Sequence, residues 1–172
     1  MSEEIARGRE TFSAPISYLP RPILEPRNPV IALAVTWVTT LIPSVLLAAV
    51  IGQIVPDVPQ PQFNMSGPLA VFLLAVFAPV VETLIMGTVL LVLLRLFNPT
   101  VAILLSAAGW GVAHSLAAPT WGLVIWWPFL VFSTLFVAWR SRSRTLAFLL
   151  PMCVHALQNL VPELTIASGG AA

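Results

Sequence analysis

Four side chains in apolar stretches of this sequence carry groups that could do chemistry: Glu82, His114, His155 and Asn159. An ionisable group at the centre of a membrane helix costs roughly 2.5 to 3.5 kcal/mol, so such residues are functional candidates. A carboxylate and two imidazoles can exchange protons, and Glu82, His114 and His155 also match the ligand set of a catalytic zinc ion. The sequence therefore predicts a polar site inside the membrane, with a divalent metal such as zinc as one open alternative.

Each of these residues also has a purely structural alternative. Glu82 could be a protonated carboxyl that fixes helix packing, and His114 could be a packing histidine beside small residues. His155 and Asn159 are four residues apart, share one helical face and could form an interhelical hydrogen-bonding pair. A small transporter or proton relay built on the same residues is a further alternative.

The composition is that of a membrane protein. Hydrophobic residues make up 58% of the 172 residues and charged residues only 9%, against roughly a quarter charged in soluble domains. All eight basic residues are arginines and the net charge is +1, which excludes a basic surface dense enough to hold nucleic acid.

Apolar segments long enough to cross a bilayer as helices then define the elements that must position the site. There are five: 29–55, 68–97, 99–118, 120–139 and 144–161. Their apolar runs are continuous rather than alternating, which predicts an all-α fold, a polytopic bundle of about five transmembrane helices. The eight arginines precede the first segment, close the second or lie between the last two, which predicts a cytoplasmic N-terminus and an outside C-terminus.

The predicted organisation has four parts. Residues 1–28 form a cytoplasmic leader that contains prolines and arginines, mostly extended or mobile, with a short helix over 2–11. Residues 29–55 form the first transmembrane helix, residues 68–161 a four-helix core and residues 162–172 a short tail.

Helix geometry places the polar residues in one layer of this core. At 1.5 Å per residue, Glu82, His114 and Asn159 each lie about 22 Å from the cytoplasmic edge, with His155 about 16 Å in. The structural alternatives do not predict such a common depth. Pro79 removes a helical hydrogen bond and frees the carbonyl of Ala75, which loosens the turn before Glu82.

The sequence resembles the CPBP family of intramembrane proteases, which includes CAAX prenyl proteases and bacteriocin-processing or immunity proteins. Residues 110–114 and 155–159 match its aromatic-x-x-x-His and His-x-x-x-Asn motifs, and residues 81–87 match its Glu-Glu-x-x-x-Arg motif in part. The resemblance covers roughly 68–161. Val81 stands in place of the first family glutamate and Met86 in place of the arginine. Neighbouring helix residues point about 100° apart, so Glu82 can replace a carboxylate at 81 only on a rotated or distorted helix.

The resemblance implies an endopeptidase that hydrolyses peptide bonds of membrane-associated peptide or protein substrates. Glu82 would deprotonate a water also held by His114, and His155 and Asn159 would donate hydrogen bonds to the oxyanion. The alternative, favoured by Val81, is a catalytically silent relative that acts as a binding, immunity or assembly factor. A short, lysine-free chain suggests a bacterial inner membrane, and the oligomeric state stays open.

Overall fold

The computed structural model describes residues 12–55, 57 and 67–167. They form one 3-10 turn, seven α-helices and one π-helical segment, namely Ile16–Tyr18 (3-10), α1 (Arg21–Leu24), α2 (Pro29–Ile54), α3 (Gly67–Phe72), the π segment (Leu73–Phe77), α4 (Ala78–Leu96), α5 (Pro99–Ser115), α6 (Trp121–Trp139) and α7 (Arg144–Ala167). These residues contain no strand, so the prediction of an all-α membrane bundle is confirmed.

Each predicted span contains a helix, and four helical runs are long and apolar enough to cross a membrane. They are α2, the continuous run Gly67–Leu96, α6 and the part of α7 up to Pro162. Helix α5 has only 17 residues, about 25 Å of length. It ends at Ser115 rather than at the predicted residue 118, because Pro119 disfavours helical backbone at the residue before it. Conversely, α7 continues to Ala167, so the beginning of the predicted tail is helical.

Two of the long helices begin at the same local signal, an asparagine followed by a proline. The side chain of Asn28 accepts hydrogen bonds from the backbone of Val30 and Ile31 at 3.0 and 3.2 Å, and that of Asn98 accepts one from Val101 at 3.0 Å. The proline that follows has no N–H to leave unpaired in the first turn. These caps set where α2 and α5 start.

Helix α6 lies at the centre of the bundle. Every residue from Pro128 to Trp139 is buried, and the helix packs against α1, α2, α4, α5 and α7. Its start crosses α5 with the backbones almost touching, because a Cβ atom on Gly122 would lie 1.9 Å from the carbonyl oxygen of Gly111. A helix that is apolar all round is the expected occupant of such a position.

The leader from Phe12 onward packs onto the bundle instead of being extended, because its apolar side chains form a stripe that the helices cover. Phe12, Ile16 and Ile23 are among its buried residues. The predicted helix over 2–11 lies outside the described residues.

The leader also contacts two of the connections that carry arginines. The backbone of Ser13 donates to Thr100 Oγ1 at 3.0 Å, and the Arg142 guanidinium donates to the carbonyls of Pro26 and Arg27. The leader, the α4–α5 turn and the α6–α7 turn therefore share one end of the bundle, as the arginine placement requires. Which side of the membrane this end faces stays a prediction.

Candidate active site

The structure brings Glu82, His114 and His155 together from α4, α5 and α7. Oε2 of Glu82 lies 3.8 Å from Nε2 of His114 and 3.8 Å from Nε2 of His155. Both distances exceed a hydrogen bond, and Oε2 is buried without a hydrogen-bond partner among the described residues. The Glu82 side chain is 26% exposed, against 12% for His114 and 7% for His155. The site is thus a carboxylate facing two imidazoles, reached from the carboxylate side.

His114 is held in one orientation by its own helix. Its Nδ1 lies 2.9 Å from the carbonyl oxygen of Trp110, one turn earlier. A carbonyl can only accept, so Nδ1 donates, and the neutral imidazole presents an unprotonated Nε2 toward Glu82. The aromatic ring of Trp121 packs edge-on against the imidazole with centroids 4.7 Å apart. His114 therefore offers a fixed hydrogen-bond acceptor to the site.

Aromatic rings of α6 form the wall behind both imidazoles. Phe129 lies 5.5 Å from the ring of His114 and 5.3 Å from that of His155, and Phe132 lies 5.1 Å from His155. Phe129 also stacks on Trp110 at 4.4 Å. These phenylalanines were not predicted as site residues, because in an apolar helix nothing in the sequence distinguishes them from other core residues.

Asn159 lies on the same helix face as His155 but bonds to the backbone of the preceding helical run. Its Nδ2 donates to the carbonyl oxygen of Leu74 at 3.0 Å. Leu74 belongs to the π segment, in which the N–H of Ala78 bonds to Leu73 five residues earlier. The equivalent partner of Leu74 would be Pro79, which has no N–H. In the π segment, Pro79 therefore leaves the carbonyl of Leu74 without a backbone partner, and Asn159 bonds to it. A regular α-helix would instead have freed the carbonyl of Ala75, as predicted from the sequence.

Val81 and Met86, which the motif comparison predicts to replace two family residues, lie on different faces of α4. Val81 is 37% exposed and shares the outer face with Leu84 and Ile85, whereas Met86 is fully buried. A Cβ atom on the adjacent Gly87 would lie 2.3 Å from the ring of Phe148. A side chain at this position would force the ring of Phe148 to shift, so α4 packs closely against α7 here.

The candidate metal ligands are not arranged as a ligand set. In the described part of the chain, no three His, Cys, Asp or Glu side chains are placed to hold a metal ion. Two ligands of a tetrahedral zinc ion are about 3.3 Å apart, given bonds of about 2.0 to 2.1 Å, and Glu82 is 3.8 Å from each imidazole. Glu82 is thus about 0.5 Å further from each imidazole than two zinc ligands would be, and a zinc ion at Glu82, His114 and His155 stays a prediction.

These observations define a polytopic helical membrane protein with a carboxylate–imidazole site between its helices. The family model described as type II CAAX prenyl endopeptidase Rce1-like matches residues 64–161, which is more than half of the chain. The chain belongs to this family, and the resemblance inferred from its motifs is confirmed. No curated protein and no solved structure matched it. The matched region contains all four candidate residues and leaves out the leader and α2.

Proposed function

We propose that this protein is an intramembrane endopeptidase that hydrolyses peptide bonds of membrane-associated peptide or protein substrates. One observation carries the proposal. The buried Oε2 of Glu82 has no hydrogen-bond partner among the described residues and lies at equal distance from two imidazole nitrogens. A polar gap of this kind suits a water molecule that several groups share.

In the proposed mechanism each group has one step. Glu82 accepts a proton from the water, whose second hydrogen bonds to the unprotonated Nε2 of His114, and the water oxygen attacks the peptide carbonyl carbon. The C=O π electrons move to the oxygen, which becomes the oxyanion. Collapse of this intermediate breaks the C–N bond, and Glu82 returns the proton to the leaving amine.

His155 and Asn159 face the developing oxyanion in this scheme. In the tautomer with a proton on Nε2, His155 donates one hydrogen bond. Asn159 uses one amide hydrogen for Leu74 and has a second available for the oxyanion. Each such donor contributes about 3 kcal/mol to stabilising the transition state. No step requires a metal.

Cleavage by the purified protein tests the proposal. The detergent-solubilised chain is incubated with a mixed library of membrane-anchored and prenylated peptides, beside Glu82→Gln and His114→Ala. We expect Glu82→Gln to lower the cleavage rate by about 10² to 10⁴, as for removal of a general base. Glu25→Gln is the matched control, since Glu25 is also a buried carboxylate but pairs with Arg27 at 3.2 Å in the leader. Cleavage that is unchanged in Glu82→Gln would refute the mechanism.

A second candidate function is a silent relative that binds membrane proteins in immunity or assembly. The outward-facing Val81 and the buried Met86 favour it, because the family residues that they replace are charged. The double variant Val81→Glu with Met86→Arg distinguishes the two: a silent relative should gain cleavage. If the unaltered chain already yields Glu82-dependent products, this second function is excluded as the main one.

We further propose that the protein lies in a bacterial inner membrane with the leader on the cytoplasmic side. The shared position of the leader and two arginine-bearing turns supports a single cytoplasmic end. This orientation is tested by adding a protease to spheroplasts that make the protein with a tag at its C-terminus. Cleavage of that tag by externally added protease is expected, and full protection would reverse the orientation.

A further inference from the structure

We propose that the elbow between α1 and α2, residues 21–31, is a binding site for the phosphate group of one anionic phospholipid. The elbow lies outside the region 64–161 that the family model matches, and lipid binding there does not depend on the proposed peptidase activity. Three features of the molecule support it: a cleft lined by arginines, the balance of charges around that cleft, and an apolar helix face that begins at its rim.

The elbow encloses a cleft of about 210 Å³ where the chain turns from α1 into α2. Its lining consists of Arg21, Pro22, Glu25, Arg27, Asn28 and Ile31. Pockets for whole drug-sized ligands begin at about 300 Å³, so this cleft has the size for one small polar group. A phosphate that belongs to a larger molecule, most of which lies outside the cleft, is such a group.

The charges at the elbow favour an anion. Glu25 is buried, and Arg27 balances its charge at 3.2 Å. Arg21 is exposed and forms no ion pair within the described part of the chain. Arg142, from the α6–α7 turn, reaches the same segment and donates to the carbonyls of Pro26 and Arg27. Three guanidinium groups are therefore set against one carboxylate, and guanidinium groups bind phosphate oxygens through paired N–H donors.

Asn28 adds a neutral donor to the cleft. Its side-chain oxygen accepts hydrogen bonds from the backbone of Val30 and Ile31, which leaves the two hydrogens of its Nδ2 for a ligand. Because the same oxygen already satisfies these first N–H groups of α2, the helix N-terminus itself is not the phosphate site. Recognition of the anion thus rests on the arginines, with Asn28 in support.

An apolar face of α2 begins at the rim of the cleft, which favours a lipid over a free phosphate ion. Ile31 lines the cleft and is 50% exposed, and Val38, Ile42 and Val45 continue this face with exposed side chains at helical spacing. Helix α2 is also one of the runs long enough to cross a membrane. A phospholipid can therefore place its phosphate in the cleft and its acyl chains along this face.

Native mass spectrometry of the purified full chain in detergent tests the site. The probes are phosphatidylglycerol, the zwitterionic phosphatidylcholine, and glycerophosphoglycerol, which is phosphatidylglycerol without its acyl chains. We expect one phosphatidylglycerol per chain, bound at least about tenfold more tightly than either other probe. Arg21→Gln should weaken phosphatidylglycerol binding about fivefold, the share of one arginine at an anionic lipid surface. Arg21→Glu should remove the preference over phosphatidylcholine. Arg21 is chosen because it is exposed, so its loss leaves the packing of the leader intact.

Arg95→Gln is the matched control. Arg95 is exposed in the last turn of α4, at the same end of the bundle, but does not line the cleft. Salt largely screens an exposed charge outside the site, so this variant should bind phosphatidylglycerol within about twofold of the native chain.

Three results would overturn the proposal. Equal weakening by Arg21→Gln and Arg95→Gln would mean diffuse attraction to a charged surface. Equal affinity for phosphatidylglycerol and phosphatidylcholine would remove the role of charge, and equal affinity for glycerophosphoglycerol would make the ligand a soluble phosphate ester. The unfolding temperature gives a second readout: phosphatidylglycerol should raise it in the native chain and in Arg95→Gln but not in Arg21→Glu. Neither measurement involves cleavage, so failure of the proposed peptidase function would leave both results unaffected.

Discussion

Pro43 in α2 and Pro79 at the start of α4 each remove a backbone N–H from a membrane helix, and a side chain of another helix bonds to the carbonyl left over. At Pro43 the carbonyl is that of Thr39, four residues earlier, and Nε1 of Trp127 donates to it at 2.9 Å. At Pro79 the carbonyl is that of Leu74, five residues earlier, and Asn159 donates at 3.0 Å. Helix α2 stays α-helical around Pro43, whereas the π segment directly precedes α4 and Pro79.

The comparison separates two uses of the same chemistry. An outside donor that bonds to the carbonyl four residues before a proline ties two helices together and leaves their faces unchanged. A donor that bonds to the carbonyl five residues before it stabilises a one-residue offset between the helical turns on either side of the π segment. Trp127 therefore acts as a tie between α2 and α6, and Asn159 as a tie between α7 and the π segment.

The largest difference in cleavage rate is expected between the alanine substitutions of Pro79 and Pro43. Pro79→Ala restores an N–H that can bond to Ala75 in a regular α-helix, which is favoured over a π turn, so the backbone that leads into Glu82 should rearrange. We expect cleavage to fall by about 10², whereas Pro43→Ala should stay within about twofold of the native rate. The test is to measure the cleavage rates of both variants on folded protein and compare each with the native rate. Equal effects would show that the site does not depend on the π segment.

Removal of the indole donor should lower stability without a loss of catalysis. Trp127→Phe leaves the carbonyl of Thr39 without its partner, which costs about 1 to 3 kcal/mol. A lower unfolding temperature in detergent with unchanged activity per folded molecule is the expected result. Adding Pro43→Ala supplies an N–H for Thr39 and should restore part of the stability. A collapse of activity in Trp127→Phe would instead place Trp127 in the site.

A smaller change in stability is expected for the contact between Gln158 and Ser44 of α2, which involves no proline carbonyl. Gln158 Nε2 and Ser44 Oγ are 3.4 Å apart, a long contact, and Gln158 Oε1 is buried without a partner in the described part of the protein. Ser44→Ala should therefore change the free energy of unfolding by less than about 1 kcal/mol. Thermal unfolding in detergent checks this, and a loss as large as that in Trp127→Phe would contradict it.

The smallest effect on cleavage and stability is expected for Val81, on the outer face of α4. Val81→Ala removes two methyl groups from a side chain on the outer face of α4. Lipid is as apolar as the side chain itself, so little stability is lost there. Cleavage and unfolding temperature should both match the native protein within error. A marked loss of cleavage would mean that residue 81, rather than Glu82, faces the substrate.

Much of this arrangement could be predicted from the sequence because its signals are local. Long apolar runs predicted the helices, and Asn-Pro pairs mark two of their starts. Helix geometry predicted one layer for Glu82, His114 and Asn159, with His155 one turn away; in the structure His155 is the one that faces Glu82. The need for a distorted helix at Glu82 also followed from the departure at Val81. The form of the distortion did not, because it depends on which distant side chain, here Asn159, donates to the helix.

Burial of the leader escaped prediction for a similar reason. Its apolar residues, such as Ile16 and Ile23, alternate with prolines and arginines, which obscures any helical or strand period. Only the surface formed by α6 and its neighbours shows why they are buried. Phe129 was missed because an apolar helix offers no contrast from which to recognise one ring as a wall of the site.

The contacts of the leader also order the events of biosynthesis. Ser13 bonds to Thr100, 87 residues later in the chain, and Arg142 bonds to Pro26 across 116 residues. The leader therefore has no binding surface until α5 and α6, which follow it in the chain, have been made and inserted. Its docking is among the last steps of assembly, and the newborn chain must keep this apolar stretch from aggregating for most of its translation.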